Sequence, residues 1–204
     1  MVDVSKSFVS QPPIDGGMLQ SADLGTDLPT TALEELAADF LANDHGAVGE
    51  DGLKINKTRS TSDIKRAGGA TFRTVQTESD ESIVVTLLED DNIAVLHTVF
   101  GEQNVIVESA DSDGQSKTIY HTSEPLPIKS WVLDAIDGEK TKRYVVEKGQ
   151  VVNVGEVTDT HTDVTKYEIT IKTYESKFGG TKGKNVVELR HDAALATAGA
   201  GAGG

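Results

Sequence analysis

Five histidines, two acids ahead of a glycine, three consecutive acids and one tryptophan are the residues whose type and spacing invite chemistry. His45, His97, His121, His161 and His191 are scattered along the chain. None pairs with another at i+4 or as His-x-His, the spacings that bring two imidazoles to one metal from a single element. Asp111 and Asp113 precede Gly114 in a faint likeness of a calcium loop. An EF-hand needs a third ligand before its glycine and a Glu about six residues after it. Here Gly114 comes early and Tyr120 holds the Glu position, so the segment reads as an acidic β-turn. Glu89, Asp90 and Asp91 could supply paired carboxylates for acid–base work. They stand just before a helix, where acids satisfy free amides and favour the dipole, and that accounts for them. Trp131 shares a strand face with Leu133 and Ala135, which reads as core packing. No Gly-x-Ser-x-Gly, Walker or dinucleotide fingerprint is present. Gly52, Gly68 and Gly69 fall in hairpin turns, not ahead of a helix that could cradle phosphate. The expectation is a non-enzyme with no catalytic, cofactor-binding or metal-ligating residues and no cofactor.

The elements that would have positioned such residues are mostly strands. The chain has 204 residues, enough for one domain with arms and a real core. Hydrophobic residues make up 37% and aromatics 5%, a lean core that partner chains would help complete. The net charge is −14, and Lys140, Lys142, Arg143 and Lys177, Lys182, Lys184 are interleaved with Gly, Thr or acids. Specific binding to nucleic acid needs clustered cations, so it is not expected. There is no cysteine, which excludes disulfides, thiol catalysis and Cys-based zinc sites. No apolar run approaches the roughly 18 residues of a membrane span. The N-terminal MVDVSKSFVSQPP lacks the basic and apolar regions of a signal peptide, so export by the usual route is not expected.

Residues 1–30, with Pro12, Pro13, Gly16, Gly17 and Pro29, read as an arm with a short strand near Phe8 and Val9 that lies on a neighbouring chain. Residues 31–192 read as one β-rich domain. Leu33, Leu36, Ala37, Phe40 and Leu41 share one helical face, and Thr31 with Glu34 fits a capping box, which predicts a helix over 31–42. Strands are predicted at Leu53 to Thr58, Thr61 to Arg66 and Thr71 to Thr77, with Gly68-Gly69 as a hairpin turn. Ser82 to Glu89 is nearly continuous apolar and reads as a central strand buried on both faces. A second helix is predicted over 91–100, capped by Asp90 and Asp91, with Ile93, Leu96 and Phe100 as its buried stripe and Gly101 after it. Asn104 to Glu108 and Lys117 to Thr122 flank the turn SADSDGQS. Ile128 to Ile136 and Lys140 to Glu147 flank Asp137-Gly138, and Val151 to Val157 follows a Lys-Gly turn. From Tyr167 to Tyr174, apolar and polar residues alternate as in a strand wet on one face. Residues 176–185 read as a loop, Val186 to Arg190 as a last strand, and 193–204 as a flexible Ala/Gly tail.

The order of features over residues 46–101 resembles the major tail proteins, or tail tube proteins, of long, non-contractile-tailed phages (siphophages), of the kind found in phages of actinobacteria. The likeness runs from Gly-Glu-Asp-Gly through Arg-Ser-Thr-Ser-Asp-Ile-Lys to the Leu-Leu-Glu-Asp-Asp-Asn helix start. It continues more loosely through 128–157 and 165–175. The resemblance implies a mainly β fold, a β-sandwich or barrel of two packed antiparallel sheets with a flanking α-helix at Asp91–Phe100. It implies a hexameric ring with a continuous inner β-barrel, and rings stacked helically into a tube. The implied partners are further copies of the chain, a tape measure protein inside the tube, and tail terminator and distal tail proteins at its ends. Genomic DNA would pass through the lumen without specific binding, on its way into the host, and no membrane is involved. The implied place is the virion tail, after synthesis in the host bacterial cytoplasm. The acidity fits, because a cationic bore would hold DNA.

Three other readings compete. A tail completion or distal tail protein would keep the fold and form one ring. A non-enzymatic β-sandwich binding module would explain the strands and the charge, but not the two helices. An enzyme has no candidate constellation.

Overall fold

The fold is built on an antiparallel sheet in which one buried strand, Ile128–Asp137, organises both layers of the core. A computed structural model describes residues 2–14, 16–178, 183 and 185–195. The elements are β1 (Leu19–Ala22), α1 (Ala38–Ala42), β2 (Val48–Lys65), β3 (Thr71–Leu87), α2 (Ile93–Phe100), β4 (Val105–Val107), β5 (Lys117–Ile119), β6 (Ile128–Asp137), β7 (Lys140–Val154), β8 (Tyr167–Thr173) and β9 (Val187–Asp192). Seven strands form one sheet in the order β1-β6-β7-β8-β3-β2, with β9 also on β7, and β4-β5 form a separate pair.

The two packed layers are therefore not two separate sheets. They are two ends of one hydrogen-bonded sheet folded over on itself. Leu53 and Val85 of the β2–β3 end line one small cavity with Leu19, Leu133 and Tyr144 of the other end. The main core joins Ile83, Val85, Leu87, Trp131, Leu133, Val146, Ile169 and Ile171 with Val95 and Val99 of α2. A second cluster, Ala22, Phe40 and Val132, lies on the back of β6.

Several expectations change. The continuous buried strand is β6, where Ser130 to Ala135 are all buried. Ser82 to Glu89 instead alternates, with Ile83, Val85 and Leu87 buried and the intervening residues half-exposed, and the strand stops at Leu87. The Lys148-Gly149 turn does not exist, because β7 runs straight through it. The segment near Phe8 and Val9 is no strand. Met18 to Ala22, read as part of an arm, is buried, and Leu19 to Ala22 pair with β6. The sequence there lacks alternation because both faces of β1 are covered.

The helix predicted over 31–42 shrinks to Ala38–Ala42. The cause is tertiary: Arg143 Nη1 donates to the carbonyls of Thr31 (3.3 Å) and Glu34 (2.6 Å), acceptors a helix would use for itself. Glu34 still reaches back to the amides of Thr30 and Thr31 (2.6 and 3.3 Å), so half of the capping box survives without its helix. Those bonds, Thr30 first, hold the Glu34 carboxyl below its ordinary pKa.

Helix α2 stands, with Asn92 as its N-cap in place of Asp90 and Asp91: the Asn92 side chain accepts from the Ala94 amide at 2.9 Å. Its buried residues are Ala94, Val95, Leu96, Thr98 and Val99, whereas Ile93 is 41% exposed and Phe100 half-buried. The expected stripe of Ile93, Leu96 and Phe100 is thus replaced by a helix covered on most sides. Gly101 closes it, its amide bonding to the His97 carbonyl at 3.0 Å. Residues 179–182 and 184 of the loop predicted over 176–185, and 196–204 of the tail predicted over 193–204, lie outside the described residues.

Candidate assembly surfaces

The longest exposed feature is the β2–β3 hairpin. Sequence reasoning broke each of its arms in two; in fact each is one strand. The pairing runs from Val48–Leu87 to Lys65–Thr71, with register shifts between Ser60 and Thr61 and between Ile64 and Lys65. Bulges of this kind flip the alternation of faces, which is why the periodicity looked broken. The turn falls on Arg66 to Ala70, and Gly68 and Gly69 take positive φ there (93° and 87°).

Among the described residues, β8 pairs with β3 only over Ser82–Leu87, and β2 pairs with no strand besides β3. Residues 56–81 are therefore a two-stranded ribbon with both edges open. About ten residues per arm at roughly 3.3 Å each give a projection of about 30 Å. Its last ties to the body are the Asp80–Lys172 ion pair (3.3 Å) and the bond from the Thr173 hydroxyl to the Glu81 carbonyl (2.9 Å).

The opposite edge of the sheet is closed. The amide of Ser21 donates to the Asn43 carbonyl (3.2 Å) and the amide of His45 to the Leu19 carbonyl (3.0 Å), so residues 43–45 cover β1. His45 locks this cover. Its ring is fully buried, 3.1 Å from the Leu19 carbonyl through Nδ1 and 2.7 Å from the Thr98 hydroxyl through Nε2. A carbonyl can only accept, so Nδ1 carries the proton and Nε2 accepts from Thr98. Burial pushes the pKa of His45 down to about 4, so the ring is neutral at neutral pH.

Residues 4–11 lie on the turn end of β6–β7. Gln11 and Ile136 exchange backbone bonds (3.0 and 2.9 Å), and the Val9 amide donates to Asp137 (2.9 Å). Lys140 donates to the carbonyls of Ser5 and Ser7, and the Lys142 ammonium sits 4.0 Å above the Phe8 ring. In the single chain, then, this segment is held by its own body. Val2, Val4, Val9 and Ile14 nevertheless point outward.

Of the residues singled out for chemistry, His45 and Trp131 meet in the core, their ring centroids 5.8 Å apart and the planes tilted by 41°. His97 is partly buried, which lowers its pKa, and His121 packs against Phe100 in a tilted contact, ring centroids 4.7 Å apart. His161 and His191 are exposed on other elements. Among the described residues no group of three or more His, Asp or Glu is placed to hold a metal. Asp111 closes its own turn through the amides of Asp113 and Gly114. Glu89 accepts from the Ala47 amide (2.8 Å) and Asp91 pairs with Lys117 (2.6 Å). Trp131 is a core residue, 1% exposed.

The residue that sequence reasoning missed is Arg143. It is buried against Asp134 in a two-toothed pair, both bonds 2.7 Å, while its third nitrogen holds the 31–34 segment. The available signal was Asp134 itself, a lone carboxylate inside the apolar run Trp-Val-Leu-Asp-Ala-Ile.

An antiparallel β body with one sealed sheet edge and a long open ribbon suits a protein built to join others. The chain matches the family model described as "Phage tail tube protein" over residues 16–184, and it belongs to that family. It is thus a structural component of the virion tail, where it assembles with other tail proteins. A search of curated proteins finds no match. Among solved structures, the tube-terminating cap of the anti-feeding prophage aligns over 93% of this chain and 99% of its own, at 10% identity and a TM-score of 0.37. A likeness at that level carries no argument. Among the described residues no helix is long and apolar enough to cross a membrane.

Proposed function

We propose that this chain is the repeating subunit of a siphophage tail tube, six copies forming a ring and rings stacking helically into the conduit for genome passage. The observation that carries the reading is the ribbon of residues 56–81. A two-stranded hairpin with both edges open is marginal in water by itself, and open edges invite pairing with another chain. Its completion comes from neighbouring copies, whose strands close into the inner barrel. The sealed β1 edge limits where such pairing can occur. The tape measure protein fills the bore during assembly, terminator and distal proteins close the ends, and DNA later passes without specific binding. The phage is of the kind that infects actinobacteria, on the sequence resemblance alone. No reaction is assigned to the chain.

Electron microscopy of the purified full chain tests this. Stacked rings or tubes of uniform width are the expected result. Single rings that never stack would reassign the chain to a completion or distal tail role. Protein that stays monomeric at every concentration and salt, with a tail tube built from another chain, would overturn the reading.

A further inference from the structure

The end of the ribbon has the opposite charge to the rest of the molecule. Past the Ser60–Glu78 rung, residues 61–77 hold Lys65, Arg66 and Arg73 against Asp63 alone, a net of +2. The whole chain is −14, so the other residues together carry −16. Asp63 is already engaged, accepting from the hydroxyls of Thr71 (3.2 Å) and Thr74 (2.6 Å). The ion pairs of the ribbon lie nearer its base, at Lys57–Glu81 and Lys172–Asp80, both 3.3 Å. Among the described residues, Lys65, Arg66 and Arg73 have no carboxylate at ion-pair distance.

Two large apolar side chains stand among these cations. Phe72 is 75% exposed and Ile64 is 49% exposed. Ile64 lies directly opposite Arg73 in the ladder, and Phe72 precedes it. An exposed aromatic beside arginine is the composition of an interface anchor with its rim. The cations set the sign of the surface the anchor meets.

We propose that the tip docks on an acidic surface of a second copy of this chain, with Phe72 and Ile64 seated in the contact and Lys65, Arg66 and Arg73 pairing with carboxylates around it. The inference rests on the assembly reading above and deepens it. Two bodies at −16 repel each other, so tip to body is the electrostatically favourable approach. A second copy supplies both the sign and an apolar component. A DNA duplex supplies the sign only, and the acidic body around the tip repels it.

The test uses the full chain, a Lys65→Gln/Arg66→Gln/Arg73→Gln triple variant and a Phe72→Ser variant. Thermal melts check folding, and sedimentation with microscopy follows assembly at about 0.05 M and about 0.5 M salt, where screening differs several-fold. The wild type should assemble at low salt and need about tenfold more protein at high salt. The triple variant should melt like the wild type and need at least about tenfold more protein at low salt. Phe72→Ser should lose assembly at both salts. Variants that assemble at the wild-type concentration, with its salt dependence, would overturn the tip contact and leave the tube reading standing. A wild type that never assembles removes both. A wild type that binds a duplex oligonucleotide, with loss of that binding and unchanged assembly in the triple variant, would assign the tip to nucleic acid and overturn the proposal.

Discussion

The indole of Trp131 lies against the backbone of Gly149, its N–H donating to the Gly149 carbonyl at 3.0 Å. A Cβ at 149 would stand 2.7 Å from Trp131 Cδ1 and 2.9 Å from Ile171 Cγ2. Glycine is therefore required here by close approach in the middle of β7, not by a turn. Gly149→Ala must move a buried ring or bend the strand, at a cost of about 1–3 kcal/mol. For a chain of this size that is a fall of roughly 2–4 °C in Tm per kcal/mol. A melt within error of the wild type would show that the core gives way freely at this point.

Arg143 is the second support of the fold. Its side chain is 8% exposed and that of Asp134 12%, so the pair is largely out of water. Removing one partner leaves a buried charge alone and frees the carbonyls of Thr31 and Glu34. Arg143→Met should destabilise by about 3–5 kcal/mol. Arg143→Met/Asp134→Leu, which removes both charges, should recover part of that loss. Urea titrations of the two variants measure the difference. Equal stability of both with the wild type would show that the pair is not a support.

This pair also marks where the sequence could be read and where it could not. Helix α2 was visible because apolar residues crowd a short segment between local end signals, acids ahead of it and Gly101 after it, although the cap itself is the neighbouring Asn92. The Asp137-Gly138 hairpin and the alternation in β8 were visible for the same reason, since turn chemistry and period are local. The helix over 31–37 was lost to a residue more than a hundred positions away, Arg143, which no local pattern reveals. Gly149 was misread as a turn because its requirement comes from Trp131 across the sheet. The long ribbon was hidden by its own bulges. The surfaces that serve assembly depend on which edges are open, which is a property of topology.

His45 should make the protein acid-sensitive in a defined window. Its pKa is lowered from an ordinary 6.5 to about 4, chiefly by burial. Below about 6.5 the unfolded chain takes a proton that the folded chain refuses. The His45 contribution is therefore complete above pH 6.5 and is lost as pH falls towards 4, by about 3 kcal/mol at most. His97, lowered in the same direction by burial, adds to the slope. The Glu34 carboxyl, held below its ordinary pKa, acts only at lower pH. Denaturation free energies at pH 7 and about pH 4.5 should differ clearly in the wild type and much less in His45→Gln. An unchanged slope in the variant would assign the acid sensitivity elsewhere.

The N-terminal segment divides into a part the body needs and a part it can spare. Residues 2–11 are tied by the Gln11–Ile136 pair, the Val9–Asp137 bond and the Lys140 contacts, most of them exposed. Polar ties of this kind contribute about 1–2 kcal/mol together once solvent competes. Deleting residues 2–11 should leave a folded core with a slightly lower Tm. Residues 19–22 are different: Leu19 is fully buried and Ala22 is 1% exposed, and β1 covers the edge of β6. Deleting residues 2–25 should expose that edge and the Val132 face, and yield insoluble or unfolded protein. If the outward-pointing Val2, Val4 and Val9 contact neighbouring copies, the shorter deletion also stops tube growth while the melt is kept. Long tubes from that variant would show that the segment is a strap on its own subunit and no connector. A soluble, cooperatively folded product from the longer deletion would show that β1 is dispensable, against its complete burial.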